Sequence, residues 1–400
     1  MERTAAVKPI DGAGSRAPTV TVRKARSKEG VCAASFLFWQ RSRSRLARHC
    51  GPRLPTAPIS RNTALPASVA SSWKRADPST SCACPTSRTA SSTRRKETRS
   101  SFWHGLGGNH HLFDPLIGPG KALDTDKYFV IATDAFGNSQ LGFEHSTSPT
   151  SSGLRMSFPA YNSRDMMRAQ YKLVTEGLHL AHLLAVAGAS MGADQALQLA
   201  VLYPGFMDGI LSLSGGALWS SGVLFFGPLM QSVIESCAGW ENGNYEAISS
   251  TCGANAVSVL VPYFYTRDWW DTNIKTPEAF SRWRKEMGDY YLDVQDARDL
   301  YHLSKALGRA FIGDSPGFNG DAGAALGSIR ARTLFIVSPQ DPFLPRHMEA
   351  QVKLIPNARM VSIDSIAGHF ACCGADRQAT AVVSKAMRRF LGDLVRPRTR

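Results

Sequence analysis

The stretch "LLAVAGASMGADQALQLAVLYP", residues 183–204, decides the fold. Its first part is an unbroken apolar run that stops at a glycine, the pattern of a strand buried on both faces (residues 182–188). Its last part, residues 193–204, is rich in helix formers. Between them stands Gly188-Ala189-Ser190-Met191-Gly192, with two glycines flanking a serine at spacing two. One reading is a Gly-rich loop of no chemical consequence. The other is a sharp strand-to-helix turn that presents Ser190 as a nucleophile. The second needs both glycines, because such a turn is crowded and its backbone must approach neighbouring elements closely. It also aims the N–H groups and positive end of the following helix at the serine.

Working outward, the same alternation continues. Strands are expected at 127–135 ("KYFVIATDA"), 207–216, 331–341 ("ARTLFIVSPQD") and 358–365, and helices at 163–178, 345–355 and 377–395. Short apolar strands alternating with amphipathic helices specify an α/β fold, a mostly parallel sheet with helices on both faces. From 217 to 325 the pattern changes to helical and aromatic ("LFFGPLMQSVIESC", "VPYFYTRDWWD"), which reads as an inserted helical cap. The expected organisation is a core in two parts, 101–216 and 326–395, interrupted by that cap. The cap's aromatic side chains either form its own core or line an apolar pocket.

Residues 1–100 read differently. They hold 20 of the 46 basic and 5 of the 32 acidic side chains, so the whole excess of +14 sits there and the remainder is near neutral. The charge therefore gives no reason to expect a nucleic-acid partner for the body. This first quarter is rich in Arg, Ser, Pro and Thr without helical or strand periodicity, and is expected to be a disordered or anomalous basic leader. Two further readings are an organelle transit peptide and a misjoined translation. Its single apolar run, 31–39, is too short to span a bilayer and has no clean signal-cleavage site, so no membrane partner is expected. Compartment is left between cytoplasm and export. Of eight cysteines, none stands at zinc-ligand spacing, and no metal is expected. Cys237 and Cys252 flank a Gly/Asn-rich loop, either bonded or free; adjacent Cys372 and Cys373 read as packing residues.

A serine hydroxyl is a poor nucleophile without a base, so the chemistry asks for a histidine and an acid downstream, each in a loop after a strand. Both are found. Asp341 closes "TLFIVSPQD", and His369 sits in "SIAGHFACCG" after the next strand. One helix and one strand separate them, which puts both at one edge of the sheet. The order Ser190, Asp341, His369 is that of α/β-hydrolases. Asp364 is a rival acid, but is read as lying within its strand. An oxyanion hole is expected from the backbone N–H of Met191 and, through "HGLGGN" (104–109), that of Leu106. His110, His111 and His145 read as loop residues.

With these motifs the chain resembles the homoserine O-acetyltransferase-like group of α/β-hydrolases. The resemblance rests on "LIGPGKALDTDKYFVIATDAFGNS" (116–139), "FPAYNSRDMMRAQYKLV" (158–174), "GASMGADQALQLAVLYP" (188–204) and "IDSIAGHF" (363–370). It implies a ping-pong acyl-enzyme on the triad Ser190, Asp341 and His369, a small-molecule acyl substrate, no bound cofactor, and a homodimer paired through the cap. The acetyltransferases of the group carry an acid after the histidine that helps hold the homoserine amine. Here Phe370 stands there; "MGADQ" replaces the group's "MGGMQ", and "HSTSPTSSG" blurs a further loop. On these departures, hydrolysis of a carboxylic ester or amide ranks first. O-acetyl transfer to homoserine or serine from acetyl-CoA, as a co-substrate, ranks second. A third reading is an inactive product lacking the first strands, because 1–100 shows no convincing strand and "RSSFWHG" is a weak one.

Overall fold

The computed structural model describes residues 74–75, 99–103, 105–137, 148–152, 154–218, 221–245, 250–288, 295–307, 311–344 and 348–396. All lie within one compact unit, Ala64–Arg400. Seven strands form one sheet: β1 (Lys74–Arg75), β2 (Arg99–Trp103), β3 (Phe129–Thr133), β4 (Leu183–Ala189), β5 (Met207–Leu213), β6 (Arg332–Val337) and β7 (Ala358–Ser362). Their order is β1-β3-β2-β4-β5-β6-β7. Every pairing is parallel except β1 with β3, which is antiparallel at the edge.

β1 and the first two residues of β2 therefore fall inside 1–100, where the sequence shows no convincing strand and reads Arg99 onward as a weak one; the rest of that stretch lies outside the described residues. The strand expected to be weak, β2, is an inner one. It pairs with β3 from Arg99↔Phe129 to Trp103↔Thr133 and with β4 from Ser100↔Ala185 to Trp103↔Gly188. Its polar Ser101 is fully buried. Two flanking ladders, not side-chain propensity, hold it in place.

The helices of the described residues are α1 (Pro149–Ser152), α2 (Ser163–Lys172), α3 (Met191–Leu202), α4 (Ser221–Glu235), α5 (Ser250–Ser258), α6 (Val261–Phe264), α7 (Arg267–Asn273), α8 (Pro277–Met287), α9 (Ala297–Leu307), α10 (Ala322–Gly327), α11 (Met348–Lys353) and α12 (Arg377–Val395). Alternate residues of the inner strands feed two cores, as period-2 geometry requires. On one face Leu211, Leu213, Leu334 and Ile336 join Ala379, Val383, Met387 and Phe390 of α12. On the other Ile210, Phe335 and Val337 join Met167 of α2 and Leu197 and Ala200 of α3. The capping box of Asn162 and Asp165 starts α2.

Between β5 and β6 the described residues form the helices α4 to α10. Its aromatics pack on one another. Tyr265 stacks on Trp269 at 3.7 Å, and Trp270 meets Trp283 edge-on at 4.9 Å. Cys237 and Cys252 form a disulfide with Cα atoms 5.7 Å apart, joining the end of α4 to α5. Cys372 and Cys373, read from sequence as packing residues, are bonded to each other.

Candidate active site

Each singled-out side chain leaves the carboxyl end of a strand. Ser190 follows β4 directly and caps α3 with φ 54° and ψ −121°. This is a left-handed conformation that strains a residue with a Cβ. The turn is held open by small residues: a Cβ on Gly188 would collide with the Gly192 carbonyl, and one on Gly105 would stand 3.2 Å from Ser190 Cβ. The Ser190 N–H donates to Leu213 O at 2.9 Å, which ties the turn to β5.

Asp341 lies four residues beyond β6 and His369 seven beyond β7, in the 3-10 turn Gly368–Cys372. The structure brings all three together. The Ser190 hydroxyl lies 2.8 Å from His369 Nε2. His369 Nδ1 lies 2.8 Å from Asp341 Oδ2. Asp341 is 4% and His369 7% exposed. The carboxylate fixes the tautomer: it accepts from Nδ1–H, leaving Nε2 to accept from the serine. The second Asp341 oxygen, Oδ1, accepts the Phe343 N–H at 2.9 Å, and the Phe343 ring packs 4.4 Å from the imidazole. Sequence reasoning missed Phe343, since nothing in Asp-Pro-Phe marks a backbone donor. Asp364 is exposed and lies past the end of β7, not within the strand as read from sequence.

Met191 opens α3, where backbone N–H groups have no intrahelical acceptor. Leu106 stands in the turn Gly105–Gly108, closed by Gly108 N–H to Gly105 O at 3.1 Å; His104 lies outside the described residues. His110 pairs through Nδ1 with Asp134 Oδ2 at 2.8 Å, and His111 with Asp114 at 2.9 Å. His145 lies outside the described residues. Behind the nucleophile, the Asp194 carboxyl is pushed up to about 7 by burial, against the hydrogen bond from Ser163. A cavity of about 270 Å³ lined by Arg332, Thr333, Asn357, Ala358, Arg359 and Phe390 opens at the opposite, amino ends of β6 and β7. It holds none of these groups, and sheets of this kind place their chemistry at the carboxyl ends.

The family model for the alpha/beta hydrolase fold matches residues 102–374. The chain belongs to the α/β-hydrolase family. Among its relatives, this hydrolase-family chain is 31% identical over 229 residues to a homoserine O-acetyltransferase of Nautilia profundicola, covering 51% of this chain and 62% of the other. It thus spans about three-fifths of that relative's length. To a homoserine O-acetyltransferase of Symbiobacterium thermophilum it is 27% identical over 332 residues, covering 73% of this chain and 84% of the other. The solved structure of the acetyl esterase MekB superimposes with a TM-score of 0.66 at 25% identity, covering 75% and 88% of the two chains.

Proposed function

We propose that the protein is an acyl-enzyme catalyst that moves an acyl group from a thioester to an alcohol acceptor of the homoserine type. The observation that carries the acyl-enzyme part is the hydrogen-bonded line Ser190–His369–Asp341 at the carboxyl rim of the sheet. His369 Nε2 takes the Ser190 proton as Oγ attacks the acyl carbonyl. The oxyanion accepts hydrogen bonds from the Met191 and Leu106 N–H groups. The proton on Nε2 then passes to the leaving thiol. In the second half the acceptor hydroxyl gives its proton to Nε2 and attacks the acyl-serine, and collapse returns the proton to Ser190. Asp341 stays ionised throughout, holding the imidazole and stabilising its charged form. Acetyl-CoA is a substrate of this cycle, and no step calls on a metal.

Transfer takes precedence over hydrolysis here, the reverse of the ranking from sequence, because the named relatives are acetyltransferases. Hydrolysis of a carboxylic ester keeps in its favour the superposition on the acetyl esterase MekB and one observation at the site. Phe370 follows His369 and packs 4.8 Å from Phe264 and 5.4 Å from Tyr265, an apolar surface where an amine-holding acid would serve an amino-acid acceptor. The two readings part in a paired assay. CoA release from acetyl-CoA that requires homoserine is the expected result. Release of p-nitrophenol from short esters, with no CoA release on adding homoserine or serine, replaces transfer with hydrolysis.

A further inference from the structure

Gln295 is fully buried and reaches across 188 positions of chain to the turn beside Ser190, where its Nε2 donates to the Gly107 carbonyl at 3.1 Å. An amide taken out of water costs free energy unless its hydrogen bonds are replaced, and this bond offsets part of that cost. The residue is also held firmly from behind. A Cβ on Gly253 of α5 would collide with the Gln295 carbonyl. The next residue, Asp296, is equally buried and accepts from the Tyr245 hydroxyl at 2.8 Å, the Ser151 hydroxyl at 2.7 Å and the Arg298 N–H at 2.9 Å. Residue 295 therefore projects from a rigid polar anchor.

The turn it grips needs such a grip. Three of its four residues, Gly105, Gly107 and Gly108, are glycines, and Gly107 sits at φ 69°. Glycine allows this close approach to Ser190 but gives the turn many competing conformations to lose. A hydrogen-bond donor aimed at a developing oxyanion is effective only when its direction is set beforehand.

We propose that Gln295 is a positioning residue for the oxyanion turn: the helical insertion supplies the amide that fixes the Gly107–Gly108 peptide, whose N–H in turn holds the Gly105 carbonyl of the peptide that carries the Leu106 N–H. The inference rests on the acyl-enzyme reading above. It makes the inserted segment part of the catalytic apparatus.

The test uses the full chain and two variants that keep the side chain's length. Gln295→Met removes the donor, and Gln295→Glu sets a carboxylate against the carbonyl. The readouts are the rate of Ser190 labelling by a fluorophosphonate, and kcat and KM for p-nitrophenyl acetate across pH. Both variants should label about 10- to 100-fold more slowly and lose kcat by a similar factor, Glu more than Met. KM should move less than about twofold, and the pH midpoint of kcat should stay in place, since His369 and Asp341 are untouched. A merely structural role would lower the folded fraction seen by near-ultraviolet circular dichroism without this split. Either variant, once folded, decides the matter: wild-type labelling and kcat overturn the role of Gln295. Absence of labelling at Ser190 in the wild type is a different result. It removes the acyl-enzyme reading, and this inference with it.

Discussion

Ser190 and His369 are 179 residues apart in sequence, yet Oγ and Nε2 stand 2.8 Å from each other. The sheet makes the meeting. β4 and β7 are separated only by β5 and β6, all parallel, so the loops after their carboxyl ends share one rim. The same geometry strains Ser190, and this yields a first prediction. Ser190→Ala should remove fluorophosphonate labelling and lower acyl turnover by about 10⁴- to 10⁶-fold, with the fold retained. Ser190→Gly should be equally inactive but more stable than Ser190→Ala. Relief of about 1–3 kcal/mol of strain outweighs the roughly 0.5–1 kcal/mol of extra chain entropy that glycine brings to the unfolded state. Thermal melts of the pair check it, and a less stable glycine variant contradicts the strain argument.

A second prediction comes from the Phe343 N–H. It donates to Asp341 Oδ1, so in Asp341→Asn the side-chain oxygen stays at that donor and the new amide turns toward His369. The imidazole must then accept at Nδ1 and carry its proton on Nε2, facing the serine with nothing to accept a proton. Loss of kcat by about 10⁴-fold is expected, with little change in unfolding midpoint. Retention of more than a tenth of wild-type kcat would show that the carboxylate does not select the tautomer.

Much of this was legible in the sequence, and unevenly so. β4 announces itself because it is buried on both faces and reads as an unbroken apolar run, and β5 and β6 do so through their apolar cores, Gly209-Ile210-Leu211 and Leu334-Phe335-Ile336-Val337. The nucleophile turn is legible because one steric demand, close approach of Gly188 to the Gly192 carbonyl, leaves glycine as its trace. Asp341 and His369 follow from where strands end. β2 is hard to read because its polar Arg99-Ser100-Ser101 is made a strand by neighbours on both sides. Gln295 and the His110–Asp134 pair leave no local pattern at all, since each is a contact between distant segments. The choice of acceptor is illegible for the same reason: it depends on what surrounds Phe370 in space.

The glycine that marks the turn gives a third prediction. In Gly188→Ala the new Cβ overlaps backbone, which cannot swing away as a side chain can. The α3 start must shift, so both soluble yield and activity should fall sharply, with a stability loss of at least about 2 kcal/mol. Gly205, whose added Cβ meets nothing within 4 Å, is the control. Gly205→Ala should leave activity intact and change stability by no more than about 1 kcal/mol. Equal behaviour of the two variants in denaturant titrations would disprove the steric account.

The fourth prediction concerns pH and Asp194, one turn into the helix that Ser190 caps. Burial raises its carboxyl from 3.8 to about 7, with the Ser163 hydroxyl at 3.3 Å working the other way. Between those two values the native state holds a proton that the unfolded chain has released. The stability linked to this group is therefore complete below about pH 4 and is lost as pH rises through 7. Asp194→Asn keeps the shape and removes the titration. Its advantage over wild type should be small near pH 4.5 and larger near pH 8.5, the increase reaching about 3 kcal/mol. Urea unfolding of both proteins at the two pH values measures the difference directly. An advantage of the same size at both would mean that this carboxyl is ionised at either pH, and that the polar contacts behind the nucleophile hold a charge.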